Sequence, residues 1–106
     1  MTTLAEATID TAPPAAGTWA TSPFPLEGYF NVSIGGTLFT ANTTVVTVQR
    51  SIDNTTWVDV DDFRKPSEDY GFDPELMYYR IGIKQGNLTP GDSVYVRIGR
   101  EFKDTY

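Results

Sequence analysis

Alternation with a period of two dominates the chain from residue 27 onward. Phe30, Val32 and Ile34 alternate with Tyr29, Asn31 and Ser33, and Val46 and Val48 with Val45, Thr47 and Gln49. Val58 and Val60 then alternate with Trp57, Asp59 and Asp61. Tyr79, Ile81 and Ile83 alternate with Tyr78, Arg80, Gly82 and Lys84, and Val94, Val96 and Ile98 with Tyr95, Arg97 and Gly99. Successive side chains of a strand point to opposite faces, so each run predicts a strand with one apolar face. The polar break at 51–56, Ser-Ile-Asp-Asn-Thr-Thr, predicts a hairpin between the second and third runs. Asp53 and Asn54 suit it, because their short side chains bond nearby backbone N–H groups and tolerate positive φ. Trp57, just beyond, is placed to cover one end of the core.

Gly35-Gly36 reads as a turn, residues 37–40 as a short return strand, and residues 85–92 as the loop of a second hairpin joining the last two strands. Residues 61–75 lack apolar periodicity and read as a surface loop pinned by Phe63, Tyr70 and Phe72. Six or seven strands, each with a face that must be covered, predict an all-β fold. The expected form is a small antiparallel β-sandwich, Greek-key or jelly-roll-like, over residues 27–106.

Residues 1–26 differ in composition. Ala, Thr and Pro dominate, and Pro13-Pro14 would end any helix begun at Leu4, Ala7 and Ile9, a stretch that reads equally as a short strand. Trp19, Phe24 and Leu26 would form an exposed apolar patch if this segment floated free. It therefore reads as an extended arm that docks on its own sheet or on a neighbouring subunit.

Composition narrows the chemistry. The 106 residues include no cysteine and no histidine. Thiol nucleophiles, thiolate metal sites, the commonest general base and the commonest zinc ligand are thereby excluded. No catalytic residue, cofactor site or metal site is assigned, and an enzyme is not expected. Net charge is −6, which argues against nucleic acid and against an anionic membrane surface. The first residues carry no basic n-region and no apolar run of signal-peptide length, so synthesis in a cytoplasm without a secretory address is expected. Asp59, Asp61, Asp62, Glu68, Asp69, Asp73 and Glu75 could offer oxygen ligands to calcium, but their spacing fits no EF-hand. A solvated acidic loop is the preferred reading.

Tyr78, Arg80 and Lys84 on one strand, with Tyr95 and Arg97 on the next, suggest an aromatic and basic surface. Such residues are favoured at interface centres. Sugar stacking and plain cross-strand pairing are the alternatives. With Trp19, Phe24 and Leu26 of the arm, these are the candidate interface residues.

Two resemblances attach to these residues. Ser51, Asp53, Thr56 and Trp57 resemble a shortened Asp-box, a turn-holding and non-catalytic motif, here without its glycine. The runs Thr-Val-Gln-Arg-Ser-Ile-Asp-Asn-Thr-Thr-Trp-Val-Asp-Val, Tyr-Tyr-Arg-Ile-Gly-Ile-Lys-Gln-Gly and Ser-Val-Tyr-Val-Arg-Ile-Gly are similar to small structural proteins of tailed bacteriophages. That resemblance spans residues 27–101. It implies a head decoration (cement) protein on the capsid surface of a virion, bound to the major capsid protein as a symmetric homo-oligomer, a trimer by preference. A head-fibre, tail-associated or carbohydrate-binding adhesion module is the alternative.

Overall fold

A computed structural model describes residues 4–10, 18–19 and 24–100. The strands are β1 (Leu4–Ile9), β2 (Thr18–Trp19), β3 (Phe24–Leu38), β4 (Val46–Ser51), β5 (Val58–Phe63), β6 (Ser67–Ile83) and β7 (Ser93–Arg100). The class is all-β, and every pairing is antiparallel. The strands lie on one hydrogen-bonded path, β1-β7-β3-β6-β4-β5, with β2 added to β6. The part of the arm that is described is docked on its own sheet: β1 pairs β7, and β2 pairs β6. β3 runs without interruption through residues 26 and 27.

The connections force this sheet to bend. Register places Phe24 opposite Tyr79 and Leu38 opposite Ser93. A straight β3 would separate those two ends by about 46 Å at ~3.3 Å per residue. Ile83 would then lie further still from Ser93, yet the nine residues between them, ten Cα–Cα steps, reach about 35 Å at most. The largest dimension of the chain is 44 Å. β3 carries two register shifts at which it can bend, Leu26/Gly28 with Gly28 at φ 88° and Gly36/Leu38 with Gly36 at φ 126°. A bulge with glycine in a left-handed conformation turns a strand at little steric cost.

The bent sheet buries its own apolar face. Val94, Val96 and Ile98 of β7 meet Phe30, Val32 and Ile34 of β3, Val46 and Val48 of β4, and Tyr79, Ile81 and Ile83 of β6 in one cluster, which Ile9 and Leu26 join. The alternation seen in the sequence thus identifies the core of four strands. One buried polar group ties the loops together. The Asp92 carboxylate accepts bonds from Thr40 N–H (2.6 Å), Thr40 Oγ1 (2.9 Å) and Thr44 Oγ1 (2.6 Å), while Thr44 Oγ1 accepts from Thr89 N–H (2.9 Å). These hydroxyls and the amide favour the charged carboxylate and hold its pKa below the ordinary value against the opposing effect of burial.

Three expectations are corrected. Gly35-Gly36 is not a turn; β3 continues to Leu38 with a register shift against β7 between Gly36 and Leu38, and Gly36, lacking a Cβ, lets β7 approach. Residues 61–75 are not a loop, since β5 extends to Phe63 and β6 begins at Ser67. Their apolar periodicity is missing because the positions on the Phe30/Val32 side of β6 are Asp69, Gly71 and Asp73, while Tyr70 and Phe72 fall on the other side. Trp57 lies outside the core cluster and sits under the Arg80 guanidinium, 4.4 Å from its ring centre.

Candidate functional site

The structure separates the residues that the sequence grouped. β6 and β7 are consecutive but not paired, because β3 lies between them. Arg97 faces Ser33 on β3 whereas Tyr79, next to Arg80, faces Phe24, nine residues away along that strand. Tyr78/Arg80 and Tyr95/Arg97 are therefore two places, not one patch. Arg80 Nε donates to Gln49 Oε1 (2.8 Å) and stacks on Trp57; its partial burial lowers its pKa. The Tyr95 hydroxyl donates to the Glu6 carboxylate of β1, which raises the phenol pKa. Leu26 is wholly buried in the chain's own core and has no surface to offer a partner. The backbones of Trp19 and Phe24 pair with Gly82 and Tyr79, and their side chains lie outside the described residues.

The acidic residues are likewise dispersed. Asp59 accepts from Gln49 and Lys84, with Lys84 the larger cause of its lowered pKa. Asp62 accepts from Thr47, and Glu68 from Ser33. Asp73 is buried and paired with Arg50 at 2.5 Å. Among the described residues no three of them converge as a metal cage would require.

What the fold does assemble is an aromatic face. Tyr29 and Phe72 are cross-strand partners, with ring centres 4.7 Å apart and planes inclined by 51°. Tyr70, two residues before Phe72, shares its side of β6. Tyr29 is 62% exposed, Tyr70 67% and Phe72 54%. Each of these rings carries most of its apolar area into water, which isolated surface residues do but adjacent large ones seldom do. Asn31 lies opposite Tyr70, and the Ser33–Glu68 hydrogen bond borders the rings on the next outward pair. The signal for this face was present in the sequence. Glu68, Tyr70 and Phe72 alternate as a strand does, with the aromatic side on the solvent face.

A second feature opens beside it. Between β5 and the first half of β6 lies a cavity of about 110 Å³, walled by Phe30, Val48, Phe63 and Tyr79 and edged by Asp61 and Asp69. It adjoins a groove of about 420 Å³ formed by Arg50, Ile52, Val58, Val60 and Met77. The chemistry available in both is contact chemistry: apolar walls, carboxylates and one half-exposed guanidinium.

The hairpin at 51–56 behaves as the Asp-box resemblance implies. Asp53 Oδ1 accepts from Thr55 N–H (2.9 Å), Thr56 N–H (2.8 Å) and Ser51 Oγ (2.9 Å), and Asn54 takes φ 60°. These bonds, Thr56 first, pull the Asp53 pKa from 3.8 to about 2. A depressed carboxylate stabilises the fold above its unfolded pKa and ceases to do so as pH falls through the folded one. The turn is expected to loosen between about pH 4 and pH 2, and Asp53→Asn to remove that dependence. Amide exchange at Thr55 and Thr56 across this range checks both.

Comparison with protein-family models, curated proteins and solved structures finds no match for the chain.

Proposed function

We propose that the protein is a virion structural protein that binds the outside of a phage capsid as a decoration or cement protein, stabilising the shell across subunit joints. The observation that carries this reading is the exposed Tyr29–Tyr70–Phe72 face, rigidly presented by two long paired strands. Large aromatics on a preformed surface bury much area at little entropic cost, which suits a protein that acts by adhering. The resemblance of residues 27–101 to phage head proteins supplies the partner, the major capsid protein, and the homo-oligomeric state, with a trimer favoured. Absence of histidine and cysteine from the sequence supports binding over turnover. A decoration protein stabilises a shell by mass action, because it binds the assembled state and not the dispersed subunits.

The alternative is an adhesion module that stacks sugar rings on the same face; Asn31, beside the tyrosines, offers hydrogen bonds to hydroxyls. The two readings differ in one experiment. Purified particles of the phage that encodes the chain, stripped of it, are titrated with the recombinant protein, and a glycan array is probed in parallel. Saturable binding to particles at a fixed copy number supports the decoration reading. Absence from particles together with sugar binding supports the adhesion module.

A further inference from the structure

β5 and β6 are joined by only three residues, 64–66, but they form no ladder. Among the described residues β5 is hydrogen-bonded to β4 alone. The stretch of β6 from Ser67 to Met77 is, among the described residues, bonded to β3 alone, and β4 joins β6 only from Tyr78 onward. Among the described residues two strand edges without a ladder thus face one wedge, with Asp62 N–H bonded to the Asp61 carboxylate (3.0 Å) and Tyr70 N–H to that of Asp69 (2.9 Å). The wedge contains both the 110 Å³ cavity and the wider groove at Val58 and Met77. Open edges are usually capped, bulged or charged, since each is a template for another strand. Here β5 carries the charges, Asp59, Asp61 and Asp62. Asp59 and Asp62 are bonded to Lys84 and Thr47 on the β4 side. Asp61 instead shares the rim of the cavity with Asp69 of β6. Two like groups held at an apolar cavity are complementary to a cation and repel an acidic segment.

From this geometry we propose that the cleft between β5 and the Ser67–Met77 half of β6 accepts an extended strand of a partner polypeptide. The entering strand seats a lysine or arginine between Asp61 and Asp69. An apolar residue two positions along, about 6.6 Å away on the same side of that strand, lies toward Val60, which lines cavity and groove alike. Main-chain bonds to the two edges supply affinity, and the carboxyl pair supplies selection for a basic segment. The inference does not depend on the virion reading, although Tyr70 of the aromatic face also lines the cavity.

The test uses the full chain and a synthetic peptide, acetyl-Thr-Val-Thr-Lys-Thr-Val-Thr-amide, with a control in which glutamate replaces the lysine. The expected result is saturable binding of the lysine peptide at neutral pH, with new amide-exchange protection confined to β5 and the first half of β6. The glutamate peptide binds at least tenfold more weakly. A folded D61N/D69N variant, verified by its amide spectrum, binds the two peptides equally. The proposal is overturned by absence of saturable binding, by equal affinity of both peptides for the unmodified chain, or by protection on the β1 edge instead. It is also overturned if n-butylammonium competes fully while no amide gains protection, which would mark a cation pocket only. Concentration-dependent protection of the same edges without peptide would assign the cleft to a second copy and overturn the partner strand.

Discussion

Gly36→Ala is expected to destabilise the fold by at least about 3 kcal/mol, the sum of two separate penalties. Gly36 has φ 126°, a conformation costing a non-glycine residue about 1–3 kcal/mol. A Cβ placed there would stand 2.2 Å from the Ser93 carbonyl oxygen and 2.8 Å from Tyr95 N and Val94 Cα. All three are backbone atoms of β7 or its start, so no rotamer relieves the overlap and the strands must part. Parting them uncovers Val94, Val96 and Ile98, which are wholly buried. For a domain of this size, Tm should fall by about 12 °C or more. Gly35→Ala is the control, since a Cβ there meets nothing within 4 Å, and its effect should stay within about 1 kcal/mol. Similar losses at both positions would mean that β3 and β7 do not pair as described.

Arg50→Met should cost about 2–4 kcal/mol, because the lost partner leaves a buried carboxylate behind. The Asp73 side chain is 4% exposed; one oxygen bonds Arg50 Nη2 and the other has no partner. The Tyr79 phenol lies beside the pair; burial first, then the Asp73 carboxylate, pushes its pKa up. Arg50 itself is 37% exposed, so water can partly replace it, which keeps the loss below that of a fully buried pair. Adding Asp73→Asn to Arg50→Met removes the stranded charge and should recover at least half of the loss. Urea midpoints at unchanged m-value measure this. No recovery in the double variant would show that Arg50 acts through packing alone.

These two sites explain why some of the fold was legible and some was not. Strands whose inward positions are Phe30/Val32/Ile34, Tyr79/Ile81/Ile83 or Val94/Val96/Ile98 announce themselves, because one side of each is wholly apolar. The first half of β6 does the reverse. Its inward positions, Asp69, Gly71 and Asp73, border an open cleft and hold an ion pair, while its outward positions carry Tyr70 and Phe72. Polar inward and aromatic outward reads as a loop, so the segment holding the aromatic face was the one hidden. Gly35-Gly36 misled for a related reason. Glycine marks a turn and a close backbone approach alike, and only the partner strand distinguishes them. The grouping of Arg80 with Arg97 failed because consecutive strands were assumed to be neighbours, which is common but does not hold where β3 intervenes.

The docked arm changes how its role can be tested. β1 pairs along its length with β7 and buries Ile9 to 3% exposure, so deleting residues 1–22 removes a strand of the sheet as well as any contact. Point substitutions on the aromatic face avoid that ambiguity, since Tyr29, Tyr70 and Phe72 contribute little to the core.

The central claim, that this protein works by adhesion through that face, is tested most directly by particle occupancy of the Tyr29→Ser/Tyr70→Ser/Phe72→Ser variant. Each truncation at an interface centre costs about 2 kcal/mol or more, so even one effective anchor gives a loss near 30-fold. The account predicts a variant with unchanged urea midpoint, within about 1 kcal/mol, that no longer saturates particles at concentrations where the unmodified chain does. Full occupancy by the folded variant would contradict it.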